Sequence, residues 1–433
     1  MSRTVTIRNR GAALARAGGL ALLALAGADA AAGAAEQEGA RRRRPPEAEA
    51  PAGDALAGLS WGMEASADLM ANARGGRRRA GGAALAARPH VDADLEALAG
   101  WRGASLHAGI QLAGGRGLAV VTGAFAPPSG AETAPTLRPA GIWLRQSLAG
   151  GALTLRAGHL LADSAFAALT AAGAFVNAGF GWPLPAAAAL PGGGPAWPAA
   201  APGVEAQARL APAWTFRAGV YAGAPWRSGR WNRRGPGRAW RHGAFMIAEL
   251  AGEGAGPGDL PGALKFGAWR ATQRFPAPDA APPAQRGHGL HGFHVAVEQT
   301  LWRGAGGGEV TAFGRLSWTP LARRAPVDLA IDAGVTVTGL LAARPDDVLA
   351  VGAVYARPVR SACADLERER LPVPELTLEA SWRAAVTGGL SLQPFVQYVR
   401  RPGGGGPDAL RPWRRTPDAV VVGLRTSTEL PAQ

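Results

Sequence analysis

Thr154 and Arg156, then Glu205, Gln207 and Arg209, then Thr215 and Arg217 recur at every second position of three successive stretches. In an extended chain, successive side chains point to opposite faces, so each set lines a single face. Arginine donors beside carboxylate acceptors can hold two adjacent hydroxyls in a fork, which suits a neutral polyol better than an ion. Arg88, Asp92 and His107 add mixed polarity from earlier stretches. A lining selective for anions would carry arginine without the acids. The same charges can also pair with one another. Nothing in the chain places a nucleophile beside a base, and the glycine runs at 192–194, 306–308 and 403–406 lack the strand-Gly-Lys-helix setting of a phosphate loop. His288, His291 and His294 alternate between faces on a strand and do not converge on one metal. His90, Asp92 and Asp94 share a face, which a water-filled interior explains without calcium. The expectation is therefore no metal, no cofactor and no enzymatic activity.

The elements that would position these side chains are short and numerous. From about Leu56 onward the chain repeats stretches of nine to twelve residues with an apolar residue at every second position. Val204-Glu205-Ala206-Gln207-Ala208-Arg209-Leu210 shows the pattern most clearly. A transmembrane strand needs only about 9 to 11 residues, apolar towards lipid and polar towards a wet lumen. Strands are expected at 58–71, 83–95, 102–112, 140–148, 152–160, 203–210, 214–222, 243–250, 263–271, 290–301, 309–318, 327–338, 347–357, 374–385, 390–399 and 418–430, sixteen in all. Their connections alternate in length, as short periplasmic turns and long outer loops require. Ala149-Gly150-Gly151, Ala211-Pro212-Ala213 and Thr387-Gly388-Gly389 are tight, whereas 161–202, 223–242, 272–289, 358–373 and 400–417 are long. The fold class is thus all-β, a sixteen-stranded antiparallel transmembrane barrel in which Val420, Val422, Leu424, Thr426, Thr428 and Leu430 of the last strand face lipid. Arg425 and Glu429 then face inward.

Composition supports this reading. No linker divides the 433 residues after residue 58, and past the leader there is no apolar run of the roughly 18 residues that a helical span needs. Residues 1–35 have the make-up of a signal peptide: Arg3, Arg8, Arg10 and Arg16, an apolar core from Leu20 to Leu25, and small residues at Ala28-Asp29-Ala30 or Gly33-Ala34-Ala35. Residues 36–57, with Arg41 to Arg44 and alternating Glu and Ala, read as a flexible periplasmic segment. The net charge of +14 includes those two groups of arginines, and one lysine, Lys265, stands among 46 basic residues, as in a chain biased by GC-rich coding more than one built for nucleic acid. The single cysteine, Cys363, can form no internal disulfide.

Several segments resemble the carbohydrate-selective porins of the OprB family. They include Asp92-Ala93-Asp94-Leu95-Glu96 with Leu98-Ala99-Gly100-Trp101-Arg102-Gly103, Leu155-Arg156-Ala157-Gly158 with Ala162-Asp163-Ser164, and Phe180-Gly181-Trp182-Pro183. Leu190-Pro191-Gly192-Gly193-Gly194-Pro195-Ala196-Trp197-Pro198, Leu392-Gln393-Pro394 with Gln397-Tyr398, and Gly423-Leu424-Arg425-Thr426 continue the match in order. The resemblance implies an outer-membrane channel admitting glucose and related sugars. The chain departs from the family in ending Leu430-Pro431-Ala432-Gln433 in place of an aromatic residue, and in carrying arginine or alanine where many members have tyrosine.

The loop 161–202 holds few charges and much Ala, Gly and Pro, which predicts that it folds into the lumen. Asp163, Asn177 and the Gly181-Trp182-Pro183 turn are its candidates for shaping the pore. Of 14 tryptophans, Trp182 and Trp197 lie in this loop and could stack on sugar rings, whereas Trp101, Trp269, Trp302 and Trp382 at strand ends read as interfacial girdle. The loop 223–242 interleaves Trp226, Trp231 and Trp240 with six arginines and would meet lipopolysaccharide phosphates on the outer face. Small sugars, outer-membrane lipid and a homotrimer are the expected partners. The competing readings are a general or anion-preferring porin, a barrel enzyme acting on lipid or glycan, and a secreted carbohydrate-binding protein.

Overall fold

The computed structural model describes residues 58–223, 240, 243–275, 287–304, 306–320, 325–359, 373–387, 389–406 and 414–430, without the side chains of 274, 275, 287 and 288. The expected leader, the segment 36–57, most of the loop 223–242, Cys363 and the last three residues lie outside them. The strands are β1 (Leu59–Arg74), β2 (Ala80–Asp94), β3 (Ala104–Arg116), β4 (Thr136–Leu148), β5 (Leu153–Leu160), β6 (Ala201–Ala211), β7 (Trp214–Ala222) and β8 (Ala244–Ala255). They continue as β9 (Pro261–Phe275), β10 (Gly287–Arg303), β11 (Glu309–Trp318), β12 (Val327–Thr338), β13 (Val348–Pro358), β14 (Glu375–Thr387), β15 (Leu390–Arg400) and β16 (Ala419–Leu430). Each bonds to its neighbours in sequence, and β1 closes on β16 to make a sixteen-stranded antiparallel barrel. Every strand expected from alternation is present.

Closure leaves no sheet edge unpaired, as a bilayer demands. At the seam Asp68 pairs in register with Arg425 and Leu69 with Leu424. Asp68 and Arg425 are bonded inside at 2.7 Å, whereas Leu69 is 63% exposed and Leu424 is also exposed on the outer surface. The two faces of the last strand therefore lie as alternation requires. Periplasmic connections are tight: Gly150 and Gly151 turn the chain with φ of 62° and 83°, a region open to glycine. After β2, Asp94 caps the helix Leu95–Ala99 by accepting from the Glu96 amide at 2.9 Å.

The lumen is partly filled. Two outer loops, 117–135 and 161–200, fold inside, and the apolar core lies between them and inward residues of β1, β2, β5 to β13, β15 and β16. Phe175 and Phe180 stack on each other at 4.1 Å and meet Phe313 edge-on, while Trp182 packs against Phe245. Inward folding of 161–202 was expected; that of 117–135 was not. Trp269 corrects another expectation. It is buried on the inward face of β9 against Phe245, not at the membrane interface, because register places it in line with Lys265 and Gly267. Trp101, Trp302 and Trp382 are exposed.

Candidate functional site

The two loops consist largely of irregular backbone, whose buried N–H and C=O groups need partners. Wall side chains supply them. Glu249 accepts from the Ala167 amide (2.7 Å), Glu298 from Ala171 (2.7 Å), and Glu379 from Val176 (2.7 Å) and Asn177 (2.8 Å). Glu375 accepts from Phe125 (3.0 Å) in the loop 117–135 and from Gly403 (2.7 Å). Arg315 donates to the carbonyls of Ala167 (2.8 Å), Gly181 (2.5 Å) and Phe180 (3.1 Å), and is paired with Asp332 at 3.0 Å. Gln393 and Gln397 donate to Ala174 O and Pro128 O, both at 2.7 Å. Polar residues spaced along the strands of one side of the barrel thus clasp the loops.

On the opposite wall the loops cover the outer ends of β2, β3, β5 and β6 at Ala84, Gln111, Leu160 and Ala201, and the stretch below them stays accessible. A belt of side chains crosses it from strand to strand. His90 stacks on His107 (5.4 Å), His107 on Trp143 (4.9 Å, 12° between planes), and Arg156 lies over Trp143 at 5.4 Å. Asp92 is bonded to His107 at 2.8 Å. Arg156 pairs with Glu205, which also accepts from Tyr221 Oη at 2.7 Å. Glycines on neighbouring strands let these rings lie flat along the wall: a Cβ on Gly62 would come within 2.7 Å of His90 Nε2. Facing the belt is the edge of the loop 161–200, where Trp197 lies under Arg88 (5.4 Å) and Pro198 O accepts from Gln111 (2.7 Å). Arg88 also pairs with Glu64. That loop carries one charge, Asp163, so the passage has a charged, ring-bearing wall on one side and a neutral wall on the other.

The structure brings together Arg88, Asp92, His107, Arg156, Glu205 and Trp197. Towards the periplasm Arg217 donates to Gln207 (3.1 Å) and pairs with Glu249 (3.4 Å) and Glu253 (3.6 Å), so this group sits below the belt. Asp163 accepts from the Trp197 amide at 2.8 Å and ties the two ends of the loop together. Burial holds its carboxyl above the usual carboxylate range, against the pull of that amide and of Arg88. Trp182, 9% exposed, is in the loop's core and does not present a face to the passage. His291 and His294 do fall on opposite faces, His294 facing inward to Glu249 at 2.9 Å and His291 facing outward. Sequence reasoning passed over Trp143 and Tyr221; Tyr221 shares its strand's inward parity with Arg217, which it did select, whereas no residue of β4 was selected.

A closed sixteen-stranded barrel with a lumen narrowed by inward-folded outer loops is an outer-membrane porin. The model of the family described as carbohydrate-selective porin, OprB family, matches residues 84–430, and the chain belongs to that family. It is a transport channel of the bacterial outer membrane that takes carbohydrates. Among solved structures, OprB of Pseudomonas putida at high pH is similar with a TM-score of 0.75 at 18% identity, covering 86% of this chain and 94% of that one. The low-pH structure of the same protein aligns with a TM-score of 0.55 at 15% identity over 86% and 93%. These likenesses concern the fold. No match was found among curated proteins.

Proposed function

We propose that glucose and related sugars pass between the Trp197-Pro198 edge of the loop and the belt on β2 to β6. The supporting observation is that Arg88, Asp92, His107 and Arg156 remain accessible on a stretch of wall that the described loop residues leave open. Arg88, Arg156 and Asp92 would exchange hydrogen bonds with sugar hydroxyls, and the Trp197 and Trp143 rings would take the apolar ring faces. Glu205, nearly buried under Arg156 and Tyr221, would set the guanidinium in place. Gln207 and Arg217 would form a second set of contacts nearer the periplasm.

Arg156→Ala should weaken sugar binding by about 1 to 3 kcal/mol, as expected for hydrogen bonds to a charged group. Glu205→Gln should give a smaller loss, because it releases the arginine without removing it. Both are read as the sugar concentration that halves the ion current through single channels in planar bilayers. If Arg156→Ala leaves that concentration unchanged, Arg156 serves only as the partner of Glu205.

Residues 1–35 would be the export signal and 36–57 a periplasmic segment. The arginines of 223–242 would contact lipopolysaccharide, and the barrel would assemble as a homotrimer, as its strand number suggests.

A further inference from the structure

On the outer surface, away from the lumen, β7 to β11 enclose a groove of about 370 Å³. The rings of Phe216, Phe266, Phe293 and Trp318 stand around a floor of Ala248 and Ala268. Register explains the shape. Ala248, Ala268 and Phe293 lie side by side on β8, β9 and β10, with Trp318 opposite Phe293 on β11, so two methyl groups are flanked by two stacked rings 5.2 Å apart. All of these side chains face lipid.

One step further towards the outer end, the same face changes character. Arg270 and His291 are direct cross-strand partners, two residues beyond Ala268 and Phe293. They lie where β11 has ended at Trp318 and β8 has only begun, near the outer rim of the barrel. Arg270 is exposed and forms no ion pair among the described residues. The His291 ring meets Phe293 edge-on at 6.0 Å and so continues the wall of the groove upward. Asp328, the outward carboxylate two strands along, is held by Arg357 at 2.8 and 3.0 Å and does not neutralise Arg270.

An arginine beside an imidazole, directly above an apolar groove, has the complement of a phosphorylated, acylated amphiphile. We infer that the groove between β7 and β11 binds one outer-leaflet glycolipid of the lipopolysaccharide type, with an acyl chain along Ala248 and Ala268 and a phosphate on Arg270 and His291. The guanidinium fork matches two phosphate oxygens, and near the outer rim it can reach them without desolvation by acyl chains. This sharpens the proposed lipopolysaccharide contact by moving it from the arginine-rich loop to the barrel wall, and it is independent of sugar selectivity.

The test is titration of the full-length protein in detergent with bisphosphorylated lipid A, read by native mass spectrometry. Wild type should bind one lipid tightly. Arg270→Ala with His291→Ala should weaken binding about tenfold or more, the loss expected for charge-assisted hydrogen bonds. Dephosphorylated lipid A should bind wild type as weakly as the intact lipid binds that double variant. Ala268→Phe, which fills the groove, should also weaken binding, and Arg357→Ala should not. Heat-dependent electrophoretic mobility and unchanged sugar block would show that each variant is folded. Undiminished binding by the double variant would overturn the inference. So would loss of binding on replacing Arg227, Arg230, Arg233 and Arg234 alone, which would return the lipid to the loop. A dimer mass abolished by Ala268→Phe would assign the groove to a second copy of the chain and likewise overturn it.

Discussion

Deleting residues 172–198 should raise single-channel conductance several-fold and abolish most of the sugar block, while the barrel still inserts. The barrel's own backbone bonds run from strand to neighbouring strand and involve none of these residues. The deletion removes Phe175, Phe180 and Trp182 from the lumen, together with the Trp197 edge of the passage. It also leaves Arg315 and Glu379 facing water, where both can be solvated. Arg315→Leu is the gentler version. Arg315 is 1% exposed, and its loss strips partners from Asp332 and from the loop carbonyls it holds. Breaking a buried pair from one side costs about 3 to 5 kcal/mol, so this change should loosen the loop and add current noise before it affects insertion. Unchanged conductance in a correctly inserted deletion would mean that the loop does not narrow the channel.

The second large effect is expected at the seam. Leu424→Arg puts a charge on the lipid face midway along β16, opposite Leu69, and should cost roughly 2 to 4 kcal/mol, enough to impair assembly. Glu429→Leu, on the inward face near the periplasmic end, should assemble normally. Arg425 is not a neutral comparison even though it also points inward. It holds the buried Asp68 with two bonds of 2.7 Å, and its removal would strand that carboxylate. Refolding into vesicles, followed by heat-dependent mobility on gels, distinguishes the variants. Wild-type assembly of Leu424→Arg would mean that the two faces of β16 are exchanged.

Strand number, parity and lipid-facing rows were legible in the sequence because period-two alternation is a local property, visible one segment at a time. What each inward residue touches was not, because it depends on which loop returns to which wall. Glu249, Glu298, Glu375 and Glu379 share the polar parity of Glu205, yet they hold loop amides while Glu205 holds Arg156. A signal did exist. The outer part of β8 and all but the end of β13 are apolar on both faces, Phe245 and Ile247 alternating with Met246 and Ala248, and Val348 and Val354 with Leu349 and Val351. A strand with lipid on one side needs apolar residues on the other only where something apolar packs inside. The same reasoning accounts for Trp269. The loop 117–135 carries Ala124-Phe125-Ala126-Pro127-Pro128, the same uncharged composition that pointed to the inward fold of 161–202.

On this account one narrow polar and aromatic passage both conducts and recognises sugar. Single-channel recording in planar bilayers with increasing glucose tests it directly. A small ionic current that falls along a saturating curve, with a half-blocking concentration raised by Arg156→Ala, is the predicted result. A current that decreases linearly with every sugar tried, without saturation and with no difference between wild type and Arg156→Ala, would contradict it and describe a general porin.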